Sequence, residues 1–124
     1  QKFMKKFNLQ TGKLGEEIAK RYLEDKGYKI LDRNYKTKYG EIDLVCQQGR
    51  ELVIVEVRTK KGEDFGTPEE SLNWRKLRKL RLNTISYVSR KGWKGNYRVD
   101  AVCIVLNQVK HNVPERLEHY ENII

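Results

Sequence analysis

The chain has 124 residues, a formal net charge of +9, 35% charged residues and 38% hydrophobic ones, which is enough apolar content for one packed core and too short a length for two. That balance excludes a disordered tail, and no apolar run approaches the length needed to cross a bilayer. The surplus of cations points to a polyanionic partner, nucleic acid ahead of an anionic membrane, although solubility accounts for part of it.

Residues 1–10 read as a basic, weakly patterned lead with no hydrophobic region behind it, which is unlike a secretory signal and fits a cytoplasmic protein. Thr11 is placed to cap a helix over 13–26 that Gly27 closes, with Leu14, Ile18, Ala19, Tyr22 and Leu23 as its apolar face. At ~100° per residue Glu16 borders that face and Glu17 points away from it. Gly12, Gly15 and Ala19 make a smooth strip on the buried side, so the helix can approach a sheet closely and carry Glu16 to its edge. Either acid is also accounted for by the favourable charge it offers the start of a helix.

A first strand is expected over 27–35 and a turn over 36–40. Residues 40–60 then read as two strands joined by a tight turn at Gln48, Gly49 and Arg50. Alternation puts Glu41 and Asp43 on one face of the first, and Leu52, Ile54, Glu56 and Arg58 on one face of the second. Glu56 interrupts Leu-Val-Ile-Val-Glu-Val, a strand apolar enough to be covered on both faces. A buried carboxylate is costly unless a cation neutralises it. One divalent ion between Asp43 and Glu56 would serve both; the alternative is an internal salt bridge to Arg58 or Arg98.

The polar loop over 59–67 follows the carboxylate strand directly and is a candidate flap. Thr67, Pro68 and Glu70 form a capping signal for a helix running to about residue 91, before Gly92. Leu72, Leu77, Leu80, Thr84, Tyr87 and Val88 supply its buried face, and Lys76 lies at the border of that face. Its cations Arg75, Lys76, Arg78, Lys79 and Arg81, joined by Lys60 and Lys61 just after the carboxylate strand, are suited to phosphates; a solvated helix surface is the alternative. Trp93, in the turn over 92–95, reads as a stacking platform for a base or, the favoured alternative, a lid on the core. The strand over 96–106 puts Arg98 beside Asp100 as its ion partner, and 117–124 offers a short edge strand or terminal turn. His111 and His119 have no ligand partner at useful spacing and are assigned no chemistry, while Cys46 and Cys103 read as reduced, half-buried core residues. The expected architecture is a single α/β domain, helix, three strands, helix, strand and a short last element around a mixed sheet.

Asp43, Glu56 thirteen residues on and Arg58 two beyond it, preceded by a helix carrying Glu16, resemble the PD-(D/E)XK, or restriction-endonuclease-like, superfamily. More narrowly, Gly12-Lys-Leu-Gly15-Glu16-Glu-Ile-Ala19, Gly40-Glu41-Ile42-Asp43-Leu44, Val55-Glu56-Val57-Arg58-Thr59, Phe65-Gly66 and Arg98-Val-Asp100 look like the YraN-like family of uncharacterised bacterial proteins, which is endonuclease-like and distantly related to Holliday junction resolvases. The resemblance implies a Mg²⁺ or Mn²⁺ site with Asp43 and Glu56 as ligands, the backbone carbonyl of Val57 as a third and a contribution from Glu16. It also implies DNA as the substrate, and a homodimer if two sites are paired as in junction resolvases. The superfamily usually has lysine where this chain has Arg58. Arginine keeps the charge but stays protonated, so it is no general base, and Lys76 is the residue placed to take over phosphate contact or water orientation. Two functions follow, a metal-dependent endonuclease or a nucleic-acid binder that keeps the fold without the chemistry.

Overall fold

The computed structural model describes residues 2–124, and side chains from Leu9 onward. Helix α1 spans Lys2–Asp25, and strands β1 (Lys29–Thr37), β2 (Gly40–Gln48) and β3 (Glu51–Lys61) follow as a meander. A single 3-10 turn, Pro68–Ser71, precedes helix α2 (Trp74–Lys91), after which come β4 (Tyr97–Leu106) and β5 (Pro114–Tyr120). The five strands lie side by side in chain order. Only β3 and β4 run parallel, because only they are joined by a crossover long enough to carry a helix. The expected α/β arrangement around a mixed sheet is therefore the observed one, and the structure adds that the sheet is flanked by the two helices.

The two helices cover opposite faces. Ala19 and Leu23 of α1 pack over Leu44, Cys46, Val53, Val55, Val57, Val102, Ile104 and Leu106. Leu80 and Tyr87 of α2 pack over Val45, Leu52, Ile54 and Val99, and Trp93 closes one side of this layer as the expected lid. The central strands β3 and β4 are thus covered on both faces, which is why their sequences are nearly unbroken apolar runs. Cys46, in the layer under α1, and Cys103, on β4, are both buried free thiols.

Two helix boundaries differ from the sequence expectation. The segment over 1–10, read as a basic, weakly patterned lead, belongs to α1 from Lys2 onward; Gln1 lies outside the described residues. No proline interrupts it, and Lys, Met, Leu and Gln are good helix formers, so Thr11 sits buried in mid-helix instead of capping it. The far end is as expected. Gly27 takes φ +89°, its N–H reaches the Glu24 carbonyl at 2.9 Å and the Tyr28 N–H reaches Leu23 at 3.0 Å, a Schellman ending that turns the chain into β1.

The second difference lies between 67 and 74. Thr67 does accept the Glu70 N–H, at 3.3 Å, but the helix it starts stops after one turn. Leu72 leaves helical geometry (φ −86°, ψ 58°), and Asn73 caps α2 afresh by accepting the Lys76 N–H at 3.0 Å. A Ser, Thr, Asp or Asn signal inside a stretch already read as helix is easily absorbed by the stronger signal before it.

Of the small strip on α1, Gly15 is the residue that the packing requires. A Cβ there would lie 1.8 Å from Thr59 Oγ1 on β3, whereas one at Gly12 would meet nothing within 4 Å. Gly15→Ala is therefore expected to destabilise the fold by ~1–3 kcal/mol through overpacking, and Gly12→Ala to leave it unchanged or add up to ~1 kcal/mol through helix propensity. Thermal unfolding of the two variants beside the parent checks both.

Candidate active site

The β2–β3 ladder pairs Gln48 with Glu51 and continues only as far as Leu44 with Val55. Past that point the strands separate, and the carboxylate of Asp43 takes the place of a backbone partner, its Oδ2 accepting the Val57 N–H at 2.8 Å. Glu56, one residue earlier on β3, lies beneath α2 and is 2% exposed. Its Oε2 accepts Lys76 Nζ at 2.9 Å and Arg58 Nη1 at 3.3 Å. Its Oε1 is buried and has no hydrogen-bond partner.

The break between the 3-10 turn and α2 acquires a purpose here. Ser71 Oγ donates to the Pro68 carbonyl at 2.7 Å and accepts from Arg58 Nε at 2.7 Å, so the turn holds the guanidinium against Glu56. The first turn of α2 then delivers Lys76 to the same carboxylate. Of the two salt-bridge partners the sequence offered for Glu56, Arg58 is the one that reaches it, and Arg98 is committed elsewhere.

Burial pushes the Asp43 carboxyl up to about 8, and the negative charge of the adjoining Glu56 adds to the rise; the Val57 N–H opposes it and Glu16 reinforces it. Two acids in contact in a poorly solvated gap cannot both ionise freely without a further cation.

Glu16 comes to the same cleft from α1, across the sheet. Asn34 holds it, donating to Glu16 Oε1 at 2.8 Å and to Glu41 Oε1 at 3.1 Å. Asn34 does so from a left-handed backbone, φ +48°, a conformation asparagine tolerates better than most residues. Among the described residues no three carboxylate, histidine or cysteine side chains converge as a ligand set; Glu16 stays with Asn34, and the contact of Val57 in the site is its N–H.

The cleft around these groups encloses about 810 Å³, and Lys60, Lys61, Lys76 and Lys79 line it together with Tyr39 and Phe65. The basic run of α2 is thereby divided. Arg75 and Arg78 are exposed outside the cleft, with Arg75 stacked on Trp74 at 5.6 Å, and Arg81 borders a separate hollow with Ile85 and Tyr97. Sequence reasoning missed Asn34 and Ser71, whose roles depend on contacts across the fold that no local pattern announces.

Sequence reasoning assigned His119 no chemistry, and the structure makes that side chain a buried structural partner of Asp100. The ring is 4% exposed, its Nε2 lies 2.8 Å from Asp100 Oδ2 and its Nδ1 lies 3.3 Å from the Tyr22 hydroxyl. Asp100 further accepts Arg98 Nε at 2.9 Å, as expected, and the Asn122 N–H at 2.9 Å. Burial alone would raise this carboxyl, but His119, Arg98 and the Asn122 N–H together hold it below its ordinary value.

Residues 15–104 match the profile of the uncharacterised protein family UPF0102. A UPF0102 protein of Pelotomaculum thermopropionicum is 44% identical over 112 residues, 90% of this chain and 92% of the relative. Another, from Syntrophomonas wolfei, is 48% identical over 107 residues, 86% and 93% of the two chains, and a third, from Thermotoga petrophila, is 42% identical over 111 residues, 90% and 94%. These names carry no activity.

The electrostatics of the pair set a pH dependence. With Asp43 near 8 in the fold and near 3.8 as its ordinary value, the folded chain binds a proton that the unfolded chain has released between those values, so this group's contribution to stability falls as pH rises through that window. Asp43→Asn, which removes the charge and keeps an oxygen for the Val57 N–H, should raise the melting temperature above pH ~8 and change it little below pH ~4. Melting curves of parent and variant across that range check it.

Proposed function

The chain belongs to the UPF0102 family, and from the chemistry of its buried acid pair we propose that it is a Mg²⁺- or Mn²⁺-dependent endonuclease that hydrolyses phosphodiester bonds in DNA. The observation that carries this reading is Glu56 Oε1, a buried carboxylate oxygen with no partner, beside an Asp43 carboxyl that its surroundings hold partly protonated. An orphaned buried oxygen next to a second acid suits a hard divalent cation, which oxygen ligands satisfy. Asp43 and Glu56 would hold the ion. When bound, the ion supplies acidification of water and stabilisation of charge on the phosphodiester.

The chain's own groups do the rest. Arg58, fixed by Ser71, and Lys76 from α2 place two cations beside the acids, where they neutralise a phosphate drawn into the cleft. Arg58 keeps its proton, so it orients the phosphate and takes no proton from water. Lys76 Nζ, 2.9 Å from Glu56 Oε2, stands in for the lysine that the superfamily carries at the position of Arg58. Glu16, oriented by Asn34, adds negative charge at the mouth and favours a cation there. Lys60, Lys61 and Lys79 hold the flanking strand through its phosphates, with Arg75, Arg78 and Arg81 along the exposed side of α2.

One observation favours a second reading, a nucleic-acid binder without turnover. Lys76 and Arg58 already neutralise Glu56 from within the chain, so the acid pair has a structural explanation that needs no ion. Cleavage assays on linear, flapped and four-way-junction DNA with Mg²⁺ or Mn²⁺ against chelator, run with the parent and Glu56→Gln, separate the two. The expected outcome is metal-dependent cutting by the parent, none by the variant, and DNA binding by the variant equal to or tighter than the parent's. Binding by both with cutting by neither supports the second reading instead.

A further inference from the structure

Phe65 is 96% exposed, the highest value among the exposed large hydrophobic side chains of the described residues. Its loop, between β3 and the 3-10 turn, is tied down on both sides of it. The Gly62 N–H reaches the Leu106 carbonyl at 2.9 Å, and the Gly66 N–H reaches Glu63 at 3.2 Å. Asp64 accepts Gln108 Nε2 at 3.0 Å, and Glu63 accepts Arg116 Nη2 at 3.3 Å. Gly62 and Gly66 take φ +63° and +111°, left-handed geometry that glycine supplies at no steric cost. The segment read from sequence as a candidate flap is thus braced against β4 and β5, and the bracing holds the phenyl ring out in water.

A single exposed phenylalanine is unremarkable in itself, but the setting of this one is specific. Phe65 lines the cleft that holds Asp43, Glu56, Lys60 and Lys61, and Tyr39, from the β1–β2 turn, lines it too. In the order of the sheet the two aromatics approach from different sides. Tyr39 comes from the β1 side and the Phe65 loop is pinned to the end of β4, so the acids on β2 and β3 lie between them. Aromatic faces alternating with cations along a groove bind bases that are out of the duplex stack, because each such base offers a free π-face and a phosphate. A continuous duplex offers the phosphates alone.

We propose that Phe65, supported by Tyr39, is a stacking platform for an unpaired nucleobase, so that the site takes strands with single-stranded character, such as a flap or the open strand at a branch, ahead of continuous duplex. This deepens the endonuclease reading and rests on it for the site, but requires only binding to be tested. Anisotropy titrations in chelator compare a flapped duplex, a single strand and a blunt duplex of matched phosphate number, with 2-aminopurine at the flap's first unpaired position. Phe65→Ala should weaken binding to flap and single strand about tenfold, leave the blunt duplex within about twofold, and abolish a 2-aminopurine quench that the parent and Phe65→Trp both give. Equal weakening on all three substrates, no weakening, or a parent that prefers blunt duplex overturns the proposal. A parent that binds flaps through Phe65 yet never cuts sinks the nuclease reading and leaves this one standing; a parent that cuts with Phe65→Ala unchanged does the reverse, and a parent that binds no nucleic acid sinks both.

Discussion

Two carboxyls in contact inside a protein are a constraint that everything near them must meet. Asp43 and Glu56 meet where β2 parts from β3, and the parting is itself what admits them: a closed ladder would have given the Val57 N–H a backbone carbonyl, not the Asp43 side chain. Removing a carboxylate from water without compensation costs several kcal/mol, and the surrounding elements supply cations from two directions. The 3-10 turn steadies Arg58 through Ser71, and α2 begins late enough to present Lys76 in its first turn; Glu16, set at the mouth where α1 lies close at Gly15, adds negative charge and pushes Asp43 further up. What remains uncompensated is one oxygen, Glu56 Oε1. Native structures leave few such groups, and the exceptions cluster where a ligand or ion belongs.

Asp100 supplies a comparison within the same sheet. It is fully buried, yet Arg98, His119 and the Asn122 N–H saturate both its oxygens, and its carboxyl is held low where that of Asp43 is held high. The Arg98–Asp100 cluster ties β4 to Glu51 at the start of β3 and to the residues after β5. It reads as a latch. Two acids of the same sheet thus differ in the completeness of their hydrogen bonding, and with it in the direction in which their carboxyls are shifted.

The hairpin, the succession of elements along the chain and the two buried acids were legible in the sequence because each rests on a local rule: the two-residue period of a strand, a turn at Gly49, and the cost of an acid within an apolar run. Lys76 was legible from helical periodicity alone, as a cation at the border of a buried face. What escaped depended on partners distant in the chain. Asn34 acts through Glu16 and Glu41, Ser71 acts through Arg58, and His119 is buried only because Tyr22, Tyr28 and Asp100 surround it. The start of α1 and the break before α2 were misplaced for a different reason, since a capping residue such as Thr11 or Asn73 is identified by the backbone around it and not by its type.

The proposed function depends on whether the gap between Asp43 and Glu56 takes a divalent cation. Titration of the parent, Asp43→Asn and Glu56→Gln with Mn²⁺ at neutral pH, followed calorimetrically, with circular dichroism to establish that all three are folded, addresses this without any substrate. The account predicts one saturable Mn²⁺ site in the parent that each substitution removes while the fold persists. A folded parent that binds no Mn²⁺, or binding that both substitutions leave intact, would contradict it.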